Sequence, residues 1–354
     1  MATRWWRVVR AAAVAGAVAL VVAGCSGGTD PGGRGSVTLL THSSFAASPD
    51  VLAEFTARTG YEVRLVQPGD AGLALNEAIL RKDAPVADVF FGIDNTFLTR
   101  AFDAGIFEPY APPGLDLDPG VPADPQQRVT PIDRGDVCID YDKEYFDQPG
   151  RPPAPTSFAS LVDPRYEGLT VVENPATSSP GLAFLLATIA AQGDPGWKDY
   201  WRQLRANGVR VVDDWTAAYQ TDFTAGGGPG DRPIVVSYGS SPPADVVYSD
   251  PPRAEPRVGV VESTCFRQYE YAGVLRGAKN QAGAKALVDF LASARFQSDM
   301  PLQMFVDPVV AGAEVPAEYR RWAVAPERPL TMTPEQIGAN REEWVKEWSD
   351  IVVR

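Results

Sequence analysis

The stretch "ENPATSSPGLAFLL", residues 173–186, closes an apolar run at Asn174-Pro175. It then sets Thr177, Ser178 and Ser179 directly before Pro180-Gly181 and a strongly apolar segment. Hydroxyls ahead of a proline in the first turn cap a helix. The free N–H groups of that turn lie at the positive end of the helix, where anions bind. Two readings are open: the cap that any helix requires, or one wall of a ligand site. Five more segments carry comparable chemistry: "THSSF" (41–45), "QPGDAG" (67–72), "IDNT" (93–96), "DDWTAAY" (213–219) and "SYGSSP" (237–242). Together they offer the imidazole of His42, the carboxylates of Asp70 and Asp94, the hydroxyls of Ser178, Ser179 and Ser241, and the aromatic faces of Trp215 and Tyr238. Such groups hold a polar, partly aromatic solute. Ordinary turns also favour Ser, Asp and Gly. Trp215 and Tyr238 are not turn formers, although either could serve as a core residue.

Catalysis is poorly served by the same residues. His42 is the only histidine, and it stands beside Ser43 and Ser44 at a strand end. Adjacent strand residues point to opposite faces, so no nucleophile and base are paired there. No motif fixes an acid pair. One histidine with two cysteines in the folded part does not make a transition-metal site of the usual spacing, and no cofactor is called for.

The elements that must position these residues alternate strand with helix. "VTLLT" (37–41) reads as a strand, and Ser48-Pro49 caps "DVLAEFTART", which Gly60 closes. "YEVRLVQ" (61–67) is a strand, followed by a helix over about 72–82. "ADVFFGI" (87–93) is a strand, after which Asp94 caps "NTFLTRAFDAG". This β-α-β-α-β opening predicts a mainly parallel sheet covered by helices. A proline-rich passage (109–125) intervenes. A second set follows: "RVTPIDRGDVCIDYD", the strand and helix of 169–192, "GVRVVDD" and "PIVVSYG". After "FRQYEYAGVL" come helices near 280–293 and 335–350. The economical arrangement is two lobes, one from residues 36–132 with 267–354 and one from 133–266, joined by strands near 127–140 and 260–272. Each of the six polar segments then follows a strand, and in open α/β sheets the carboxyl ends of strands line the ligand crevice.

The chain begins "MATRWWRVVRAAAVAGAVALVVAG", three arginines followed by an apolar stretch of signal-peptide type. "VAGC", ending at Cys25, resembles the lipobox of bacterial lipoproteins, which implies lipidation at that cysteine. Residues 25–35 are rich in Gly and suit a flexible tether. Removing residues 1–24 takes away three arginines and no acid, leaving 29 basic against 45 acidic side chains and a net charge of −16. Such a charge argues against nucleic acid as a partner and is compatible with a small cationic ligand.

In series, "THSSFAAS", "PGDAG", "FGIDNTFL", "ENPATSSPGLAFLL", "DDWTAAY", "VVSYGSSPP", "CFRQYEYAGVL", "PLQMFVDPV" and "NREEWVKEWSD" resemble the thiamine-binding proteins of bacterial ABC transporters, their actinobacterial lipoprotein branch in particular. The resemblance spans about 36–354. It implies a two-lobed type II periplasmic-binding-protein fold that closes by hinge bending on a ligand in the interlobe cleft. It also implies thiamine or its mono- or diphosphate as ligand, and ABC permease subunits as partners. Binding proteins for ferric iron, phosphonate or polyamine share that architecture and stay as the alternative. Carried over residue by residue, Trp215 and Tyr238 match ligand contacts, Asp70 matches a carboxylate for the aminopyrimidine, and Phe305 stands where enteric members have Trp. Ser178, Ser179 and Ser241 would face the tail. His42 and Arg134 replace tyrosines, as does Asp307. Arg134 either reads a phosphate or faces solvent at the hinge, while Asp94 is either a ligand contact or a cap. Cys138 and Cys265 lie on the two presumed crossover strands, where a disulfide between neighbours is expected.

Overall fold

The computed structural model describes residues 35–354. The signal-peptide reading of residues 1–24, the lipidation at Cys25 and the tether up to residue 34 lie outside the described residues. Ten strands occur in the order β1 (Gly35–Leu40), β2 (Tyr61–Val66), β3 (Val89–Asp94), β4 (Phe107–Glu108), β5 (Thr130–Asp142), β6 (Thr170–Glu173), β7 (Arg210–Val212), β8 (Ile234–Tyr238), β9 (Val258–Leu275) and β10 (Asp307–Pro308).

They form one sheet in the order β2-β1-β3-β9-β5-β8-β6-β7, with β4 paired to β9 and β10 to β5. At one end β1 runs parallel to β2 and β3, and at the other β6 runs parallel to β7 and β8. These are the two parallel sets that the strand–helix alternation calls for. Between them, β5 and β9 pair antiparallel with each other and with β8 and β3. The two long strands therefore join the parallel sets into one mixed sheet. Bulges between Pro131 and Asp133 and between Val137 and Ile139 break their ladder, as extra residues do where a strand must bend. Cys138 of β5 and Cys265 of β9 are disulfide-bonded.

Helices cover the sheet by burying one stripe each. The Pro49–Thr59 helix buries Val51 and Phe55 and ends at Gly60, whose φ of 76° suits a residue without Cβ. Ser48 occupies its cap position but makes no side-chain cap bond. Its hydroxyl and its N–H both go to the Asp299 carboxylate, at 2.5 and 2.7 Å. The Ser179–Gln192 helix is buried along most of its length, because the helix Gly196–Ala206 covers its outer side. There Trp201 packs edge-on against Phe184 and donates its indole N–H to Thr188 Oγ1 at 2.9 Å.

One expectation fails locally. Asp94 does not cap the next helix, which is Leu98–Ala104 with Phe97 at the cap position. Asp94 is the last residue of β3, and its Oδ1 accepts from the Thr96 N–H instead. That local Asx-type bond holds the backbone in a turn for three more residues.

The long helix Pro334–Val352 opens with a reciprocal Thr333–Gln336 capping box. Trp348 meets Trp201 edge-to-face at 5.5 Å, Glu347 pairs with Lys198 at 2.6 Å, and the Arg341 guanidinium lies 4.6 Å over the Phe97 ring. This one helix thus touches elements from both ends of the sheet. Among the described residues no helix is long and apolar enough to cross a membrane.

Candidate functional site

The loops that follow β1, β2, β3, β6, β7 and β8 meet at the carboxyl ends of their strands. Asp70 heads the Ala71–Leu80 helix and accepts from the Ala71 N–H at 2.9 Å. Its other oxygen takes the Trp215 N–H at 3.4 Å, so the loops after β2 and β7 are tied together. The Gly72 N–H donates to the Thr177 carbonyl at 3.0 Å. A Cβ on Gly72 would stand 2.6 Å from that oxygen, so only glycine lets the two loops approach this closely. Ser178 caps the Ser179–Gln192 helix through the Gly181 N–H, and Ser179 donates its hydroxyl to Asp94 Oδ2. The opening stretch is therefore a cap whose second serine reaches across to β3.

Electrostatics at this junction is dominated by buried acids. Asp94 is fully buried, and burial pushes it up to about 6 against the donors Ser179 and Thr96. Burial likewise raises Asp70, with His42 and Ser178 opposing. His42 is 5% exposed. Burial works against its charge, but Glu270, Asp70 and Asp94 outweigh that and leave it above the ordinary imidazole value. Its Nε2 lies 3.8 Å from Glu270 Oε2, and its Nδ1 lies 2.8 Å from Ser44 Oγ. The Tyr238 hydroxyl is pushed far up by burial and by the charges of Glu270, Asp70, Asp94 and Asp133. Its ring packs against Gly135, where a Cβ would come within 2.8 Å.

Trp215 stacks on Tyr219 with 4.9 Å between ring centres and 12° between planes, and donates its indole N–H to Ser237 Oγ at 2.9 Å. Ser241 completes that support, 3.0 Å from Ser237 Oγ. The sequence-derived residues thus fall into two sets. His42, Asp70, Asp94, Ser178, Ser179, Trp215 and Tyr238 share one junction. Ser241 holds Trp215 through Ser237, and Arg134 is paired with Asp307 at 3.0 Å. Phe305 adopts a left-handed φ of 56°, accepts the Ser240 hydroxyl at its carbonyl, and meets Tyr248 edge-on.

Glu270, Asp133 and Gln268 were not singled out from the sequence. Pairing places Glu270 opposite Asp94 on one side and Asp133 on the other, and Gln268 donates to Asp94 Oδ2 at 3.3 Å. The available signal was acids inside otherwise strand-like stretches, "TPIDRGD" and "FRQYEYAG". Among the described residues, no group of three or more His, Cys, Asp or Glu could hold a metal ion. Acid-ringed aromatic faces suit an organic cation instead, at roughly 0.5–2 kcal/mol per face.

A mixed sheet of two parallel ends joined by two crossing strands, with its polar loops gathered at one junction, is the architecture of a type II periplasmic binding protein. The chain belongs to the bacterial extracellular solute-binding protein family, whose profile matches residues 84–324. It is 28% identical over 324 residues to the thiamine-binding periplasmic protein of Escherichia coli (strain K12), covering 90% of this chain and 94% of that one. It is also 28% identical over 322 residues to the thiamine-binding periplasmic protein of Brucella suis, covering 89% and 91%. A solved periplasmic thiamin binding protein superposes with a TM-score of 0.78 at 27% identity, over 90% of this chain and 96% of that one.

Proposed function

We propose that this chain captures thiamine, or its mono- or diphosphate, and delivers it to the permease subunits of an ABC importer. The observation that carries this reading is the half-buried Tyr238, whose hydroxyl lies within electrostatic reach of Glu270, Asp70, Asp94 and Asp133, together with Trp215, whose main-chain N–H is held by Asp70. A permanently positive thiazolium is attracted both to such a ring and to the surrounding acids. The two relatives above, both thiamine-binding periplasmic proteins, support the same ligand. Asp70 receives the aminopyrimidine, Trp215 and Tyr238 hold the rings, and the tail runs toward the helix start at Ser178-Ser179, where N–H groups favour an oxyanion.

In this reading residues 36–132 with 267–354 form one lobe and 133–266 the other, and β5 and β9 are the hinge. The protein works at the outer face of the cell membrane, tethered through lipid on Cys25 after residues 1–24 are removed. Calorimetric titration of residues 30–354, unfolded and refolded beforehand, with thiamine, thiamine monophosphate and thiamine diphosphate tests it. Saturable one-to-one binding supports the reading. No heat and no shift in melting temperature with any of the three would sink the ligand.

A further inference from the structure

One row of acids in the site is set by strand pairing alone. Glu270 of β9 stands between Asp94 of β3 and Asp133 of β5. No N–H or hydroxyl donor reaches either oxygen of Asp133 or Glu270 Oε2, all three atoms are buried, and Asp133 and Glu270 lie against each other. A second observation comes from the loop after β1. His42 Nε2, in a side chain more than nine-tenths buried, has no hydrogen-bond partner and is aimed at Glu270 Oε2 from 3.8 Å. The neighbouring cations are engaged elsewhere: Arg134 with Asp307, Arg267 with Asp136 at 2.5 Å, and Arg341 over Phe97. Around the row stand Asp70 at its helix start and the Tyr238 hydroxyl from β8. Neighbouring buried carboxylates cannot all ionise, and burial with Glu270 and Asp307 close by keeps a proton on Asp133.

We propose that binding of a permanently cationic heteroaromatic ligand at this row expels a proton from the His42–Glu270–Asp133 array, so that capture and proton release are one linked equilibrium. The inference rests on the reading of the site as a thiamine site. The balance is simple: protonated protein plus ligand cation gives the complex plus one free proton. The ligand's charge replaces the proton's, the net charge of the site is unchanged, and no covalent bond forms. A proton is there to lose near neutral pH. Burial holds Asp133 well above the ordinary carboxylate range, reinforced by Glu270 and Asp307, and His42 is raised by Glu270, Asp70 and Asp94 against its burial. Affinity therefore rises with pH while the array keeps its proton, by up to about tenfold per pH unit for one proton released.

The test is titration of residues 30–354 with thiamine near the ordinary imidazole pKa of about 6.5, in MES, PIPES and ACES, which buffer there and differ in ionisation enthalpy. The slope of observed heat against buffer ionisation enthalpy counts protons released. We expect a release approaching one proton per thiamine, cut by at least about half in Asp133→Asn or His42→Gln. Either variant suffices if the other does not fold. A flat slope with saturable thiamine binding would overturn the linkage alone. An unchanged slope in the variants would assign the proton to another buried acid, such as Asp94 or Asp70, and overturn it equally. No thiamine binding in any buffer would overturn the ligand reading, and the linkage with it.

Discussion

Trp215 donates its indole N–H to Ser237 Oγ at 2.9 Å, and that bond fixes the plane in which the indole stacks on Tyr219. Ser237 is itself held by Ser241 from the first turn after β8. A rigid aromatic face, oriented from behind by two serines, loses little freedom when a ligand lands on it. Trp215→Ala should weaken thiamine binding by about tenfold or more, on the order of 1.4 kcal/mol. Ser241→Ala should weaken it by less, since it acts only through Ser237. Calorimetry of both variants checks the order, and an unchanged affinity in Trp215→Ala would remove that residue from the site.

Gly72 and Thr177 make the closest approach between the loops after β2 and β6. Gly72→Ala adds a methyl group that must push the Thr177 carbonyl away, which penalises the closed arrangement more than an open one. Ligand affinity should fall by roughly three- to tenfold as closure loses about 1 kcal/mol. Scattering of the ligand-saturated variant should show a larger radius of gyration than the parent. Equal radii and equal affinities would show that closure does not require this contact.

Asp94 gives a pH signature whose sign is fixed by its surroundings. Its folded pKa of about 6 lies above the ordinary unfolded value of about 3.9, so the native state holds the proton more tightly. The stability this contributes is fully present below about pH 4 and is lost as pH rises through about 6. Asp94→Asn cannot ionise, so its stability relative to the parent should improve across that window by up to about 3 kcal/mol. Urea unfolding at several pH values measures the difference, and a pH-independent difference would refute the assignment.

The Cys138–Cys265 disulfide closes a loop with a sequence separation of 127 residues. Replacing both cysteines by Ser should cost up to about 5 kcal/mol, the loop-closure entropy that the bridge removes from the unfolded chain. Melting temperatures of the parent with and without reductant, beside the double variant, check this. Indistinguishable curves would mean the bridge contributes nothing to stability.

Much of this arrangement was legible in the chain itself, because helix and strand periods, caps and prolines are local. Ser178-Ser179-Pro180 announced a helix start, and Gly60 announced a helix end. What remained hidden depends on pairing between distant segments. The row Asp94, Glu270 and Asp133 exists only through the register of β3, β9 and β5, and register is a tertiary property that a one-residue slip would reverse. Asp94 looked like a cap because Asx turns and helix caps use the same side chain and the same N–H partner two residues on. The helix Pro334–Val352 carries an apolar stripe that the sequence reveals, but not that Trp348 would find Trp201 and Arg341 would find Phe97.

The position of β9 in the sheet has a consequence for the order of assembly. It lies between β3 and β5, yet it is completed only at Leu275, long after both neighbours have been made. Until then β3 and β5 each present a row of unpaired backbone groups, and the two parallel sets share no strand. Most of the pairing that unites them spans more than a hundred residues of sequence, which makes folding slow. A newly synthesised chain thus cannot complete its sheet until the last of its central strands has been made.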